Sequence, residues 1–414
     1  MRTEQQPWRA RFFTFWIAQA FSLFGSSLAQ FALIWWLTET TGSATVLAIG
    51  SLAAMLPGII LGPLAGVLVD RWNRRLVILV ADGVGAVVAA VLALLFSLGW
   101  IDVWHLYIAM AVRSLAGSFH FPSLQSSTSL MVPADQLQRV AGLNQLLQGA
   151  MQIVAPPLGA LLVSWLPFPA IMGVDVVTAL VAVSLVGLMQ LPQPPRDAAT
   201  AAVASIRREL REGLAYIWHW PGLRGVLLLS GWINLLLTPA FTLMPILATR
   251  HFGGGALELA WLNSALGVGT VAGGLLLSVW GGFKRRIYTS LLGLVGLGLG
   301  ILIVGVAPGA FFWLALAGFG LAGVMSPLTN GPFFAILQAV VAPEIQGRVF
   351  TTMMSFSTAM APLGLALAGP VADRFGVQLW YLVGGAFCLL VSGLIIASPA
   401  MMRLEEGRRP LTPS

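Results

Sequence analysis

Stretches of roughly twenty predominantly apolar residues recur along the whole of this 414-residue chain. Each is long enough, as a helix, to cross a hydrocarbon core of about 30 Å. Hydrophobic residues make up 58% of the chain and charged ones only 9%, with a mean hydropathy of +0.88, whereas soluble domains carry about 25% charged residues. An ordinary soluble globule is therefore excluded. The apolar runs predict twelve helices, at about 12–38, 44–69, 76–98, 103–131, 139–165, 169–191, 223–249, 256–281, 287–307, 310–341, 347–371 and 377–401. Arg2, Arg9 and Arg11 precede a run that is too long for a signal-peptide core and lacks a small-residue cleavage site, so it is expected to be the first span.

The net charge of +7 raises nucleic acid as a partner, but the placement of the charges argues against it. Nineteen basic residues fall in loops on the side of the N-terminus, and only Arg250 and Arg374 fall on the other, with Arg113 left inside a span. That asymmetry sets orientation in a membrane and predicts both termini in the cytoplasm. The segment 192–222 opens with Pro192, Pro194 and Pro195, then mixes arginines and glutamates with Leu210, Leu214, Ile217 and Trp218. It reads as a cytoplasmic linker whose later part is a short amphipathic helix on the membrane surface. The expected organisation is a six-helix bundle over 1–191, this linker, a second six-helix bundle over 223–401 and a cytoplasmic tail over 402–414. The single Cys388 provides neither a disulfide framework nor a thiolate metal site.

Two internal repeats support the division. Pro133 to Arg139, followed by Pro157-Leu158-Gly159, has a loose counterpart in Pro343 to Arg348, followed by Pro362-Leu363-Gly364; the Arg-to-Pro separations are 18 and 14 residues. The charged hairpin Gly62 to Arg75, containing Gly66, Asp70, Arg71 and Arg74, has a partner at Gly273 to Arg286, offset by 211. In the second copy Arg285 and Arg286 match Arg74 and Arg75, while Gly281 stands in the place of Asp70.

The pattern G-x-x-x-D-R-x-x-R-R over Gly66 to Arg75 resembles the signature of the loop between helices 2 and 3 of the major facilitator superfamily. Three further stretches are similar to the macrolide-efflux branch, the drug:proton antiporters of the third type. They are Phe15 to Thr38, Arg113 to Gln125, and Ala141-Gly142-Leu143-Asn144-Gln145 running through Pro156, Pro157 and Gly159 to Gly173-Val174-Asp175. Two positions depart from the pattern: Asn73 stands where the branch has glycine, and Ala155 precedes Pro156 where antiporters have Gly-Pro. The resemblance implies an all-α membrane protein, with twelve transmembrane helices in two pseudo-symmetric six-helix bundles and a substrate site near midplane between parallel halves.

Asp70 and Arg71 at a helix end, with Arg74 and Arg75 a turn later, read as a gate, and Gly62 and Gly66 as a small-residue packing face; an ordinary positive-inside loop is the alternative. Arg113 lies about ten residues into the fourth span, where a guanidinium is costly and needs a cavity or a partner. Asp175, about six residues into the sixth span from the same side, lies at similar depth and is the expected partner, whether as a coupling pair or as a permanent structural one. Asp82 is a second coupling candidate, with packing beside the Asp70 loop as the competing role. The family resemblance implies a cavity lined by spans 1, 4, 7 and 10. Those spans offer Gln19, Gln30, His120, Gln125, Asn234 and Asn330, with aromatics that include Phe15, Phe119 and Phe241. His120 is the one side chain among them that titrates near neutral pH. Pro156, Pro157, Gly159 and Pro362 are expected to break helices and create bending points, as are Pro239, Pro245, Pro327 and Pro332.

Nothing reads as enzyme chemistry. The sequence has no G-x-x-x-x-G-K-[ST] loop for ATP, and His105, His120, His219 and His251 show no metal-ligand spacing. The expected function is export of a bulky amphipathic compound by proton-coupled alternating access in the inner, cytoplasmic membrane. The carrier is expected to act as a monomer, with no cofactor beyond protons and no nucleic-acid partner. A siderophore or lysophospholipid exporter of the same fold is the alternative, and a non-transporting membrane sensor or scaffold is a second.

Overall fold

The computed structural model describes residues 8–191 and 211–406, so much of the expected linker and tail lies outside it, as do the side chains of Gly66, Asp70 and Arg71. The described chain is helical throughout, with no strand. Twelve long helices follow in order: α1 (Trp8–Thr41), α2 (Ala44–Arg71), α3 (Arg74–Leu98), α4 (Val103–Met131), α5 (Leu137–Trp165), α6 (Phe168–Leu188), α7 (Pro221–Thr242), α8 (Ala256–Trp280), α9 (Arg286–Val306), α10 (Phe312–Val340), α11 (Pro343–Phe375) and α12 (Gln378–Ala397). Their ends agree with the sequence expectation to within four residues, except that α7 stops at Thr242.

There the chain turns through Met244–Ile246 and one π turn, Leu247–His251. Pro239 lies in the last turn of α7 and Pro245 within this turn, and each lacks the N–H that a continuous helix needs. The other proline expectations need correcting. Helix α5 runs unbroken through Pro156 and Pro157, α10 through Pro327 and Pro332, and α11 through Pro362. Each proline removes only one donor, and packing by neighbouring helices tolerates that loss.

Among the described residues, eleven helices are long and apolar enough to cross a membrane. Helix α4 is absent from that set although it has 29 residues, about 43 Å at 1.5 Å each. Arg113, His120, Gln125 and seven serines and threonines lower its apolarity, and several of them face the site described below.

The chain divides into two compact units. The first holds α1, most of α2, and α3–α6; the second holds α7–α12 together with residues 42–48. Within the first, α3 packs on α4 and α6, and α1 on α5 and α6. Within the second, α9 packs on α10 and α12, and α7 on α11 and α12. The same four pairings thus recur six helices later, the structural form of the repeat seen in the sequence. In both units small residues bring backbones together, as helices do where lipid offers no hydrophobic drive. A Cβ on Gly25 in α1 would lie 2.0 Å from Thr178 Oγ1 in α6, and one on Gly159 in α5 would lie 2.8 Å from the Phe31 ring of α1. Gly159 is therefore a packing residue within a continuous helix.

The second unit reaches beyond its long helices. Residues 211–218 are helical, with Ile217 and Trp220 buried among Leu223, Val349 and Leu404, and Glu212 Oε2 lies 2.6 Å from Arg348 Nη1. This part of the linker is seated on the unit, although Leu214 and Trp218 remain exposed. Leu404 anchors a closing 3₁₀ turn whose Glu405 Oε1 accepts the Ile287 N–H at 2.7 Å. A carboxylate from the chain end thus caps α9, in the copy of the hairpin that lacks the loop aspartate.

Candidate functional site

The hairpin motif is held within the first unit. Asn73 caps α3, its Oδ1 accepting N–H bonds from Arg75 at 3.1 Å and Leu76 at 3.4 Å. This accounts for the residue that departs from the family glycine: asparagine supplies an acceptor to a helix start. Asn73→Ala is expected to lower thermal stability by about 1 kcal/mol, with Asn73→Asp close to the parent; unfolding of the purified variants monitored by fluorescence checks this. Arg74 is buried and donates from Nη1 to Ser126 O of α4 at 3.1 Å, while Arg75 donates to Gly187 O of α6. The second copy repeats these attachments in exchanged order, with Arg286 donating to Ala335 O of α10 and Arg285 to Met402 O beyond α12. The basic pair therefore clips helix ends together. A Cβ on Gly62 would meet nothing within 4 Å, which corrects the packing role expected for that glycine.

A cavity of about 510 Å³ opens within the first unit, lined by α1, α3, α4, α5 and α6. Helix α1 presents Gln19, Ser22 and Ser26, at i, i+3 and i+7 on one face, and α4 presents Arg113, Gly117, His120 and Leu124 in the same way. Two carboxylates lie between these faces. Asp175 of α6 is 1% exposed; its Oδ2 lies 2.6 Å from Arg113 Nη1, and its Oδ1 accepts the Ser26 hydroxyl at 3.0 Å. Asp82 of α3 is 8% exposed. It accepts from Gln19 Nε2 at 3.1 Å and from Ser22 Oγ at 3.3 Å, and its Oδ1 lies 3.3 Å from His120 Nε2. That imidazole nitrogen is buried and makes no aligned hydrogen bond.

The site is thus two polar rungs. Arg113 and His120 are seven residues apart on α4, as Ser26 and Gln19 are on α1, so the rungs stand about two helical turns, roughly 10 Å, apart. Phe15, Trp16, Leu147 and Met151 supply apolar wall, and Asn144, Gln148, Gln152 and Gln125 supply neutral polar groups. Asn144 Oδ1 is engaged by the Trp16 indole N–H at 2.8 Å.

Arg113 and Asp175 are brought together, as their depths suggested. Asp82 stands in the cavity with His120, and among the described residues its polar contacts are to α1 and α4. Four expected lining residues are elsewhere. Phe119 stacks on Trp72, with centroids 5.8 Å apart, and its neighbour Phe121 takes the cavity position. Gln30 is exposed outside the cavity. Asn234 and Asn330 belong to the second unit, where each donates to a carbonyl of its own helix, Ser230 O and Ser326 O, four residues back. Sequence reading missed Gln19 and Ser22 as ligands of Asp82, although their i, i+3 spacing on α1 was the available signal. Among the described residues, no cluster of His, Cys, Asp or Glu is suited to a metal ion.

A helical membrane bundle whose pairings repeat after six helices, with the Arg113–Asp175 ion pair set on the wall of a cavity, has the architecture of a membrane transporter. The chain belongs to the Major Facilitator Superfamily, whose family model matches residues 15–364. It is a multi-pass membrane protein and, like its family, a transporter rather than an enzyme. It is 33% identical to macrolide efflux protein A of Streptococcus pyogenes, over 93% of this chain and 95% of that one. It is 27% identical to the multidrug efflux pump Tap of Mycolicibacterium fortuitum, over 93% and 95% of the two chains. An inward-open structure of the E. coli xylose transporter XylE superposes with a TM-score of 0.66 over 92% of this chain and 95% of that one, at 14% identity. That last likeness concerns the fold alone.

Proposed function

We propose that this protein exports a bulky amphipathic compound across the cytoplasmic membrane by alternating access, in exchange for protons, with both termini in the cytoplasm. The observation that carries this reading is the cavity of about 510 Å³, which combines aromatic and aliphatic wall, several amides and buried titratable groups. Such a lining suits a large, mostly apolar molecule with few polar points better than a sugar or a small ion. The relatives named for macrolide and multidrug efflux support the same direction and cargo class. Arg113 is already engaged with Asp175, which argues against a siderophore or another anion that would need it as a ligand.

Expression in a bacterial host depleted of its own efflux pumps tests the reading. Cells carrying the protein are expected to accumulate several-fold less of a radiolabelled macrolide or of ethidium than cells without it. A protonophore is expected to abolish the difference. Equal accumulation with every amphipathic compound tried would overturn export, and a difference that survives the protonophore would overturn proton drive.

A further inference from the structure

Asparagines within the spans of the second unit satisfy themselves. Asn234, Asn263 and Asn330 each donate to a carbonyl of their own helix four residues back, at 3.0, 2.9 and 3.1 Å. The amides that α5 places on the cavity wall of the first unit do not. Gln148 and Gln152 line that cavity, are exposed in it and have no hydrogen-bond partner among the described residues. Asn144, one turn before them, has its Oδ1 taken by the Trp16 indole N–H, which leaves its Nδ2 as a donor. A polar side chain within a span is costly unless a cavity or a partner answers it. The three stand at i, i+4 and i+8, a row about 12 Å long with about 6 Å between neighbours. Leu147 and Met151, each one residue before a glutamine, form a second row and line the same cavity. Helix α5 therefore sets a strip of neutral donors and acceptors beside a strip of apolar side chains, on one face. A carboxamide donates and accepts, as a hydroxyl does, and it carries no charge, so the row favours neither sign of ligand.

Resting on the export reading above, we propose that Asn144, Gln148 and Gln152 are the specificity row of this carrier. They read hydroxyl groups set along one edge of the cargo, while Leu147, Met151 and the aromatic wall take its apolar face. The cargo class this assigns is a facial amphiphile, a rigid apolar skeleton with hydroxyls on one side, whatever its net charge. Each matched hydroxyl replaces water on a carboxamide. A cargo that lacks one leaves that carboxamide unanswered, and such a site discriminates against the analogue. An amphiphile whose polar atoms are gathered at one end, as in a lysophospholipid, spans too little of the row to engage more than one member.

The test is equilibrium binding of radiolabelled methyl cholate, methyl deoxycholate and methyl lithocholate to the purified, full-length carrier. These uncharged esters share one steroid skeleton and carry three, two and one hydroxyls on the same face. Parent and variants are compared in the same detergent, so partition into micelles cancels. The readout is the affinity for the trihydroxy ester relative to the monohydroxy one. Gln148→Leu and Gln152→Leu are each expected to lower that ratio about fivefold, and the double variant to lower it further, with the dihydroxy ester falling between. Binding of the monohydroxy ester should persist, which shows that the cavity is folded. Gln145→Leu, on the same helix but outside the cavity, should keep the parent ratio. An unchanged ratio in the double variant would overturn the row, as would an equal fall in Gln145→Leu. Macrolide accumulation in cells separates this from the export reading. A parent that lowers accumulation but binds none of the esters would overturn the cargo class and leave export standing. A parent that binds no ester and leaves accumulation of every amphiphile unchanged would overturn both.

Discussion

Replacing Arg113 with methionine is expected to cost about 3–5 kcal/mol of stability and to abolish transport. The reason is the partner left behind: Asp175 is 1% exposed, and after the substitution its charge keeps only the Ser26 hydroxyl. A second variant separates the two consequences. Arg113→Met combined with Asp175→Leu removes both charges and should recover most of the stability, because a buried pair replaced by apolar side chains is often neutral. Transport should remain impaired in the double variant if the pair also orders the cavity wall. Thermal unfolding of the detergent-solubilised proteins, read beside macrolide accumulation in cells, checks both parts. A single Arg113→Met variant as stable as the parent would contradict the buried pair itself.

The second large effect concerns two adjacent glycines in α8. A Cβ on Gly273 would lie 2.0 Å from Val324 O, a backbone atom of α10, whereas one on Gly274 would meet nothing within 4 Å. A side-chain obstacle can rotate away, but a backbone carbonyl moves only with its helix. Gly273→Ala is therefore expected to part α8 from α10 at a cost of about 1–3 kcal/mol, with a matching fall in folded protein recovered from membranes. Gly274→Ala should be neutral, or should stabilise by up to about 1 kcal/mol through helix propensity. Equal behaviour of the two variants would show that the close approach at Gly273 is not rigid. The same backbone crowding recurs where Gly269 and Gly323 face each other, so α8 and α10 meet along a seam rather than at a point.

The contrast between what was legible in the sequence and what was not follows the geometry of a helix. Position along the axis can be read from spacing alone, which is why twelve helices and the depth match of Arg113 with Asp175 were visible. Rotation about the axis was not visible. In a soluble helix the polar face declares itself, but a span surrounded by apolar material on most sides carries no such stripe. Phe119 and Phe121 illustrate this: they are two residues apart on α4, and only Phe121 lines the cavity, while Phe119 lies on Trp72. Gln30 fails for the same reason, since it sits on α1 with Gln19 but points elsewhere. For Asp82, a second coupling candidate, depth along the third span left packing beside the hairpin as a competing role. Its partners come from α1 and α4, and only the fold brings them together.

Helix α4 shows how a functional span can hide from hydropathy. Arg113, His120 and Gln125 help to keep it out of the set of helices apolar enough to cross a membrane, and all three line the cavity. Asn73 was legible only as a deviation from a family glycine; the cap it provides on α3 gives that deviation a cause.

The claim on which the rest depends is exchange of cargo for protons, and it is tested most directly in vesicles reconstituted with the purified carrier and no other protein. A pH-sensitive dye is trapped inside, a gradient of a cationic macrolide is imposed across the membrane, and no pH gradient is present at the start. Movement of the macrolide down its gradient is predicted to drive protons the opposite way, so the lumen becomes more alkaline as cargo enters. Macrolide uptake by the parent carrier with no change in lumenal pH would contradict exchange.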